Sequence, residues 1–200
     1  MKNGLLALLF CFASGLMAAD FQEGKNYEVL KDPHPGPEPE LVEFFSFLCP
    51  HCYAFEGIIN QVEAELPQGV HFDKVHIEPF GGEQGKLMAR AWAIMSVMGV
   101  EKQVAPKIFE GRHRYKIQYR DLRDIRAAFV AAGVKGEEFD AASRSFPVES
   151  RLAQMRAKVE ELQPRSIPDL VVNGKYRIDR ASVPDAKQLE ALVEYLLNKK

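Results

Sequence analysis

Cysteine is scarce in this chain: three residues, at positions 11, 49 and 52, in a sequence of 200. That scarcity excludes a small scaffold held together by several disulfides. No internal repeat or low-complexity tract is present, and there is a single tryptophan. Net charge is only -2 and no block of basic residues stands out, which argues against nucleic acid as the main partner. The apolar stretch near the start, Leu5 to Phe12, falls short of the about 20 residues that a membrane-spanning helix needs. What is there is the composition of a soluble globular chain with a sizeable core, 46% hydrophobic and 27% charged. The length fits one domain, or one domain carrying an insertion.

The first residues, MKNGLLALLFCFASGLMAAD, run from a lone Lys2 through the apolar stretch to small residues at Ala18-Ala19. That order is the layout of a secretory signal peptide over 1–19, with the cut after Ala18 or Ala19. A lipoprotein signal ending at Cys11 is disfavoured by the bulky Phe10 before it. The mature chain is then expected to be free of a membrane anchor. Cys11 leaves with the leader, so an exported protein would carry only Cys49 and Cys52 into an oxidising compartment.

Residues 31–39, KDPHPGPEP, hold four prolines and a glycine and read as an extended surface connection. LVEFFSF (41–47) reads as a short buried strand. A helix follows over 53–66, with Phe55, Ile58, Ile59, Val62 and Leu66 apolar, and VHFDKVHIEPF (70–80) returns to strand-like alternation. Strand, helix and parallel strand make a βαβ unit, so the fold class is α/β. After Gly81-Gly82 the period becomes helical, and 83–146 reads as a small all-helical insertion between 20–82 and 147–200. Glycines punctuate it, and Pro106 is expected to break or start an element. The Met and Trp positions read as core, not as a cofactor site. Leu152 to Leu162 marks a longer helix, Asn173-Gly174 signals a hairpin within 169–178, and 185–200 forms a closing helix.

The chemistry lies in FSFLCPHCYAF, 45–55. A structural zinc site needs four ligands; no other cysteine remains after export, and His34, His71, His76 and His113 are scattered. Covalent haem wants histidine directly after the second cysteine, where Tyr53 stands. No metal or other cofactor is therefore expected. As a structural staple the pair is weak, since a four-residue loop contributes roughly 2 kcal/mol in the chain-entropy picture. The redox reading has a positive mechanism. With Cys49 at the helix cap and Pro50 in the first turn, the Cys49 sulfur takes the place of a capping oxygen at the positive end of the helix dipole. Those conditions favour a thiolate. His51 adds positive charge or a hydrogen bond, and Cys52, one turn on and more buried, closes the disulfide. Favouring the reduced thiolate makes the disulfide a better oxidant, which points to a disulfide donor.

FFSFLCPHCYAFE, KVHIEPFGG, GVKGEEFDAA and IPDLVVNGKY together resemble the DsbA family of periplasmic thiol:disulfide oxidoreductases, over nearly the whole mature chain. The resemblance implies a thioredoxin fold interrupted by a helical domain, and a periplasmic location. It also implies a cis Ile167-Pro168 peptide packed against the disulfide, with the Ile167 backbone pairing with an extended substrate. From its residues alone, Glu43 is either a strand-edge carboxylate facing water or a buried one in need of a partner. The resemblance places it beneath the cysteines near Lys74, tuning proton movement around Cys52. Glu56, one turn after Cys52, is expected on the exposed side of its helix or in the local electrostatics. Asp169 departs from the family, in which an uncharged residue usually follows the proline. Its charge is expected to oppose a Cys49 thiolate.

The expected partners are exported proteins with cysteine thiols and a quinone-linked membrane reoxidase resembling DsbB, the enzyme itself being a monomer. A reductase or isomerase remains an alternative, although 20–40 is too short for the added N-terminal domain through which isomerases of this compartment generally dimerise. A non-catalytic peptide-binding chaperone is the alternative from another class. A glutathione-dependent relative conflicts with the leader, because that thiol pool is mainly cytosolic.

Overall fold

The computed structural model describes residues 21–199; the expected leader lies outside them. Five strands form one mixed sheet: β1 (Tyr27–Val29), β2 (Glu40–Phe45), β3 (His71–His76), β4 (Asp169–Val172) and β5 (Tyr176–Ile178), in the order β1-β5-β4-β2-β3. β2 and β3 run parallel across α1 (Pro50–Glu65), the expected βαβ unit, and the other pairings are antiparallel. Every residue of β2 is buried, as an apolar run in a central strand covered on both faces requires.

One side of the sheet packs Leu41, Leu170 and Val172 against α1 and α7 (Ala186–Asn198). The other belongs to a larger cluster that joins Val42, Phe44 and Val171 to the helices between β3 and β4. Those helices are α2 (Glu83–Met98), α3 (Glu101–His113), α4 (Leu122–Ala131), α5 (Gly136–Ala142) and α6 (Phe146–Leu162). Trp92, Met88 and Met95 are core residues of α2.

Two local expectations change, and one strand appears that none foresaw. Pro106 neither starts nor ends an element: it sits inside α3. One proline removes one ladder bond, and the buried face of Val104, Ala105, Ile108 and Phe109 holds the helix through the gap. Gly111 also lies within α3, where its missing side chain admits the Tyr119 hydroxyl. Finally, β1 is a strand in a segment that carries no strand-like alternation; it forms because β5 offers it an edge.

The hairpin follows its signal. Lys175 N–H closes on Val172 C=O at 3.0 Å, with Asn173 and Gly174 both left-handed at φ 52° and 58°. A side chain at 174 would also run into the carbonyl of His34, which the Gly174 C=O anchors through the His34 N–H at 2.9 Å. Gly174→Ala is expected to destabilise the protein by about 1–3 kcal/mol, through both the left-handed φ and the collision. Guanidinium unfolding checks this, and an unchanged midpoint would show that the 31–39 segment simply moves aside.

Candidate active site

β2 delivers the cysteines. The chain leaves its last residue, turns through Ser46–Leu48, and enters α1 with Cys49 at the cap and Pro50 in the first helical position. The turn is held by Cys49 N–H to Ser46 C=O at 3.1 Å, and the helix ladder begins with Tyr53 N–H to Cys49 C=O at 3.1 Å. Both cysteines are free thiols in the structure. Cys49 is 4% exposed and Cys52 fully buried, while Pro50 and His51 between them are exposed. Burial pushes the Cys52 thiol far above the usual range.

The Cys49 side chain does not cap the helix as expected: it accepts no hydrogen bond from the first turn. Its thiol points instead to the carbonyl of Ile167, at 3.7 Å. A protonated sulfur is a donor and seeks an acceptor, whereas only the thiolate would seek the helix amides. Ile167-Pro168 is a cis peptide bond, and it leads directly into β4. Residues 163–168 thus cross above the cysteines before the chain re-enters the sheet.

Below Cys52 lies a buried charged group. Parallel pairing sets Glu43 beside Lys74, and their side chains meet at 3.1 Å. Glu56 of α1 meets the same ammonium at 2.5 Å. Glu56 is therefore not a solvated residue of an exposed helix face; it is half-buried and shares a cation with Glu43. Its place four residues after Cys52 was the available signal, since that spacing puts both on one helix face. Burial raises the Glu43 carboxyl to about 7 against the pull of Lys74. Burial also pulls Lys74 down, but the two carboxylates outweigh it and hold its ammonium above the ordinary value.

Two histidines assigned no role in the sequence support the turn. His76 Nε2 accepts the Phe47 N–H at 3.1 Å, and a His113 ring nitrogen meets the Phe47 carbonyl at 2.9 Å. His113 also stacks on Tyr53, with ring centroids 5.1 Å apart.

Asp169 is buried at 5% exposure and paired with Arg177 at 3.0 Å. The expected opposition to Cys49 is thus offset by a guanidinium. Burial still raises the Asp169 carboxyl, with Arg177 pulling the other way. Arg177 also donates to the carbonyls of Leu162 and Gln163 at 2.5 and 3.0 Å and pairs with Glu28 at 3.3 Å. One buried guanidinium therefore ties the end of α6 to the start of β4, fixing both ends of the 163–168 loop.

A groove of about 550 Å³ runs along this loop, lined by His51, Ile167, Pro168, Arg165, Arg180 and Lys25 among others. Among the described residues, no group of three or more His, Cys, Asp or Glu side chains is arranged to hold a metal ion.

A dithiol at a helix N-terminus, facing a cis proline across a mixed sheet of this order, defines a thioredoxin-like dithiol–disulfide protein. Comparison with known proteins narrows the class. The family model for the DSBA-like thioredoxin domain matches residues 40–197. The thiol:disulfide interchange protein DsbA of Escherichia coli strain K12 is 39% identical, and that of Yersinia pestis 41%, each over the full length of both chains. The crystal structure of the disulfide oxidoreductase DsbA from Proteus mirabilis superposes with a TM-score of 0.84 at 38% identity, covering 90% of this chain and 98% of that one. A second structure of the Proteus protein, with the peptide PWATCDS bound non-covalently, matches equally well. The chain belongs to the DSBA-like thioredoxin family, and it is a thiol:disulfide oxidoreductase.

Two predictions follow from the buried charges. Below pH 4.5 the Glu43 carboxyl is protonated in folded and unfolded chains alike, but from there to about 7 only the folded chain keeps the proton. Its contribution to stability is therefore lost as pH rises through that window. Glu43→Gln should flatten this slope and exceed wild type by about 1–3 kcal/mol above pH 7, the difference vanishing toward pH 4.5. Denaturant unfolding across pH measures it; an unchanged pH profile would contradict the shifted carboxyl. Asp169→Ala, which leaves Arg177 short of its buried partner, should cost about 1–3 kcal/mol. Combined with Arg177→Leu it should cost less than the sum of the two single losses, and strict additivity would show that the pair is not coupled.

Proposed function

We propose that this protein is a disulfide donor, with Cys49 as the attacked sulfur and Cys52 as the buried partner. A substrate thiolate attacks Cys49 of the Cys49–Cys52 disulfide, and Cys52 leaves with the electron pair and takes up a proton. A second substrate thiol, deprotonated, then attacks the substrate sulfur of the mixed disulfide. The substrate disulfide forms, Cys49 leaves as thiolate, and the enzyme is left as a dithiol. The observation that carries this reading is the asymmetry of the pair. Cys49 stands at the N-terminus of α1 under the Ile167 carbonyl, and Cys52 is sealed in the core.

Each neighbour has a task in this scheme. Pro50 occupies the first helical position, where its missing N–H forfeits no ladder bond. His51, exposed in the groove, supports negative charge developing on Cys49. Ile167 and Pro168 present backbone to an extended substrate peptide; a peptide is bound non-covalently by the Proteus relative. Glu43, with a carboxyl that titrates at about 7, exchanges the proton that Cys52 needs, and Lys74 holds it in place. The substrates are exported proteins bearing cysteine pairs, met by a monomer in the periplasm after a leader is cut at Ala18 or Ala19. A quinone-linked membrane reoxidase resembling DsbB restores the disulfide, since each donation leaves the enzyme spent. The helices α2–α5 form an insertion in the thioredoxin-like unit.

Equilibration with glutathione redox buffers tests the direction. The Cys49–Cys52 disulfide is expected to be more oxidising than glutathione, and His51→Ala to lower its oxidising equilibrium constant by about tenfold or more, which is ~30 mV per tenfold for a two-electron couple. A strongly reducing pair would sink the donor reading and leave a reductase.

A further inference from the structure

The groove beside His51 and Pro168 carries more charged side chains than peptide binding through backbone alone requires. Seven acidic and basic residues line it: Lys25, Glu28, Arg165, Asp169, Arg177, Asp179 and Arg180. Most of them are committed. Glu28 pairs with Arg165 at 2.9 Å and with Arg177 at 3.3 Å, and Asp169 pairs with Arg177 at 3.0 Å. Asp179 accepts the Ala181 N–H at 3.0 Å and caps the short 3-10 turn Arg180–Ser182. Lys25 and Arg180 are different. Neither makes an ion pair among the described residues. Lys25 is exposed, and Arg180 lies half-buried with its guanidinium 4.2 Å from the centre of the Phe55 ring, one turn of α1 beyond Cys52. The Phe55 face holds this cation without neutralising it, and its field also reaches the Glu43 carboxyl, which it draws down.

We propose that Arg180 and Lys25 make the groove selective for substrate segments that carry a carboxylate side chain beside the reacting cysteine. The inference rests on the reading of this groove as the substrate groove. Its chemistry is charge complementarity: four cations against three carboxylates line the groove, and Lys25 and Arg180 make no ion pair among the described residues, so an incoming Asp or Glu meets an excess of positive charge and an incoming Lys meets like charge. Held in an extended conformation along Ile167, a peptide advances about 3.3 Å per residue with its side chains alternating in direction, so the residues flanking the reacting cysteine turn to the opposite face from its sulfur.

The test uses the oxidised protein and three synthetic dithiol peptides that differ only in the residue flanking the first cysteine: Asp, Ser or Lys. Oxidation is followed by acid quench and mass spectrometry. Each rate is divided by that of the same peptide with hydroxyethyl disulfide, because a flanking charge also changes the thiol's own reactivity. At low ionic strength the Asp peptide is expected to react about 3–10-fold faster than the Lys peptide, in line with one or two exposed charge contacts. The preference should fade as salt is raised. Arg180→Glu should invert the ranking. Lys25→Glu, a change at an exposed position that does not threaten folding, should at least halve the preference. Because the ranking is read within each variant, a general loss of rate does not obscure it. Equal normalised rates for the three peptides, with oxidation intact, would overturn the charge selectivity and leave the donor reading standing. Failure to oxidise any of the peptides would overturn both.

Discussion

The cysteine pair depends on one peptide segment that does no chemistry itself, the backbone of Phe47. Its N–H and C=O are both taken by imidazoles, His76 on one side and His113 on the other. The roles are fixed by the backbone: an N–H can only donate, so His76 Nε2 must be unprotonated, and a carbonyl can only accept, so the His113 nitrogen that meets it must carry hydrogen. Burial holds the His76 ring neutral, lowering it to about 3, which keeps it an acceptor throughout the neutral range. His113, lowered by its own partial burial, reaches Tyr53 by stacking. The residues before and after the C-x-x-C are thereby attached to β3 and to α3, and the start of α1 is held at a set distance from the sheet.

The same framework explains how charges persist beneath a buried thiol. The Lys74 backbone carbonyl receives the Trp92 indole N–H at 2.6 Å and an Arg151 N–H at 3.0 Å, and Arg151 is in turn paired with Asp73 at 2.6 Å. The strand is pinned from one side while its ammonium reaches between two carboxylates on the other. Burying three ionised groups with only one cation would leave an uncompensated charge in the core, which is strongly unfavourable. The structure resolves this by letting Glu43 hold its proton until about 7. A carboxyl that exchanges a proton near neutrality, next to a thiol that resists ionising, is thus a consequence of burial and stoichiometry together.

Much of the fold could be read from the residues because it rests on local signals. Strand β2 is a short apolar run, α1 has a 3.6-residue stripe, and the hairpin carries two residues that tolerate positive φ. What escaped is long-range. β1 exists only because β5 offers it an edge, and Pro106 survives in α3 because tertiary burial outweighs one missing bond. The site divides in the same way. Cys49, Cys52 and the cis proline follow from a motif and a resemblance. His76, His113 and Arg177 act through partners at least eight residues away in sequence, with nothing local to mark them. Asp169 shows the hazard of reading a charge without its partner: the guanidinium that offsets it is eight residues on, across a turn, on the neighbouring strand, where Arg177 stands opposite Val171 and reaches along the sheet to the carboxylate.

Charge therefore has two separate uses around the cysteines, and burial separates them. A charge in the interior must be paired, and once paired it has a fixed geometry and little field left for a ligand. Arg177 fits that description: at 7% exposure, bonded to two carbonyls and two carboxylates, it sets the position of the 163–168 loop and thereby of Ile167 over Cys49. A charge that is to discriminate among substrates must remain unpaired, and it can afford to do so only where water is available to solvate it when the groove is empty. Lys25 and Arg180 meet that condition at the rim of the same groove. On the proposed reading, that division would let substrate preference change through the rim without disturbing the buried clamp that holds Ile167 over Cys49.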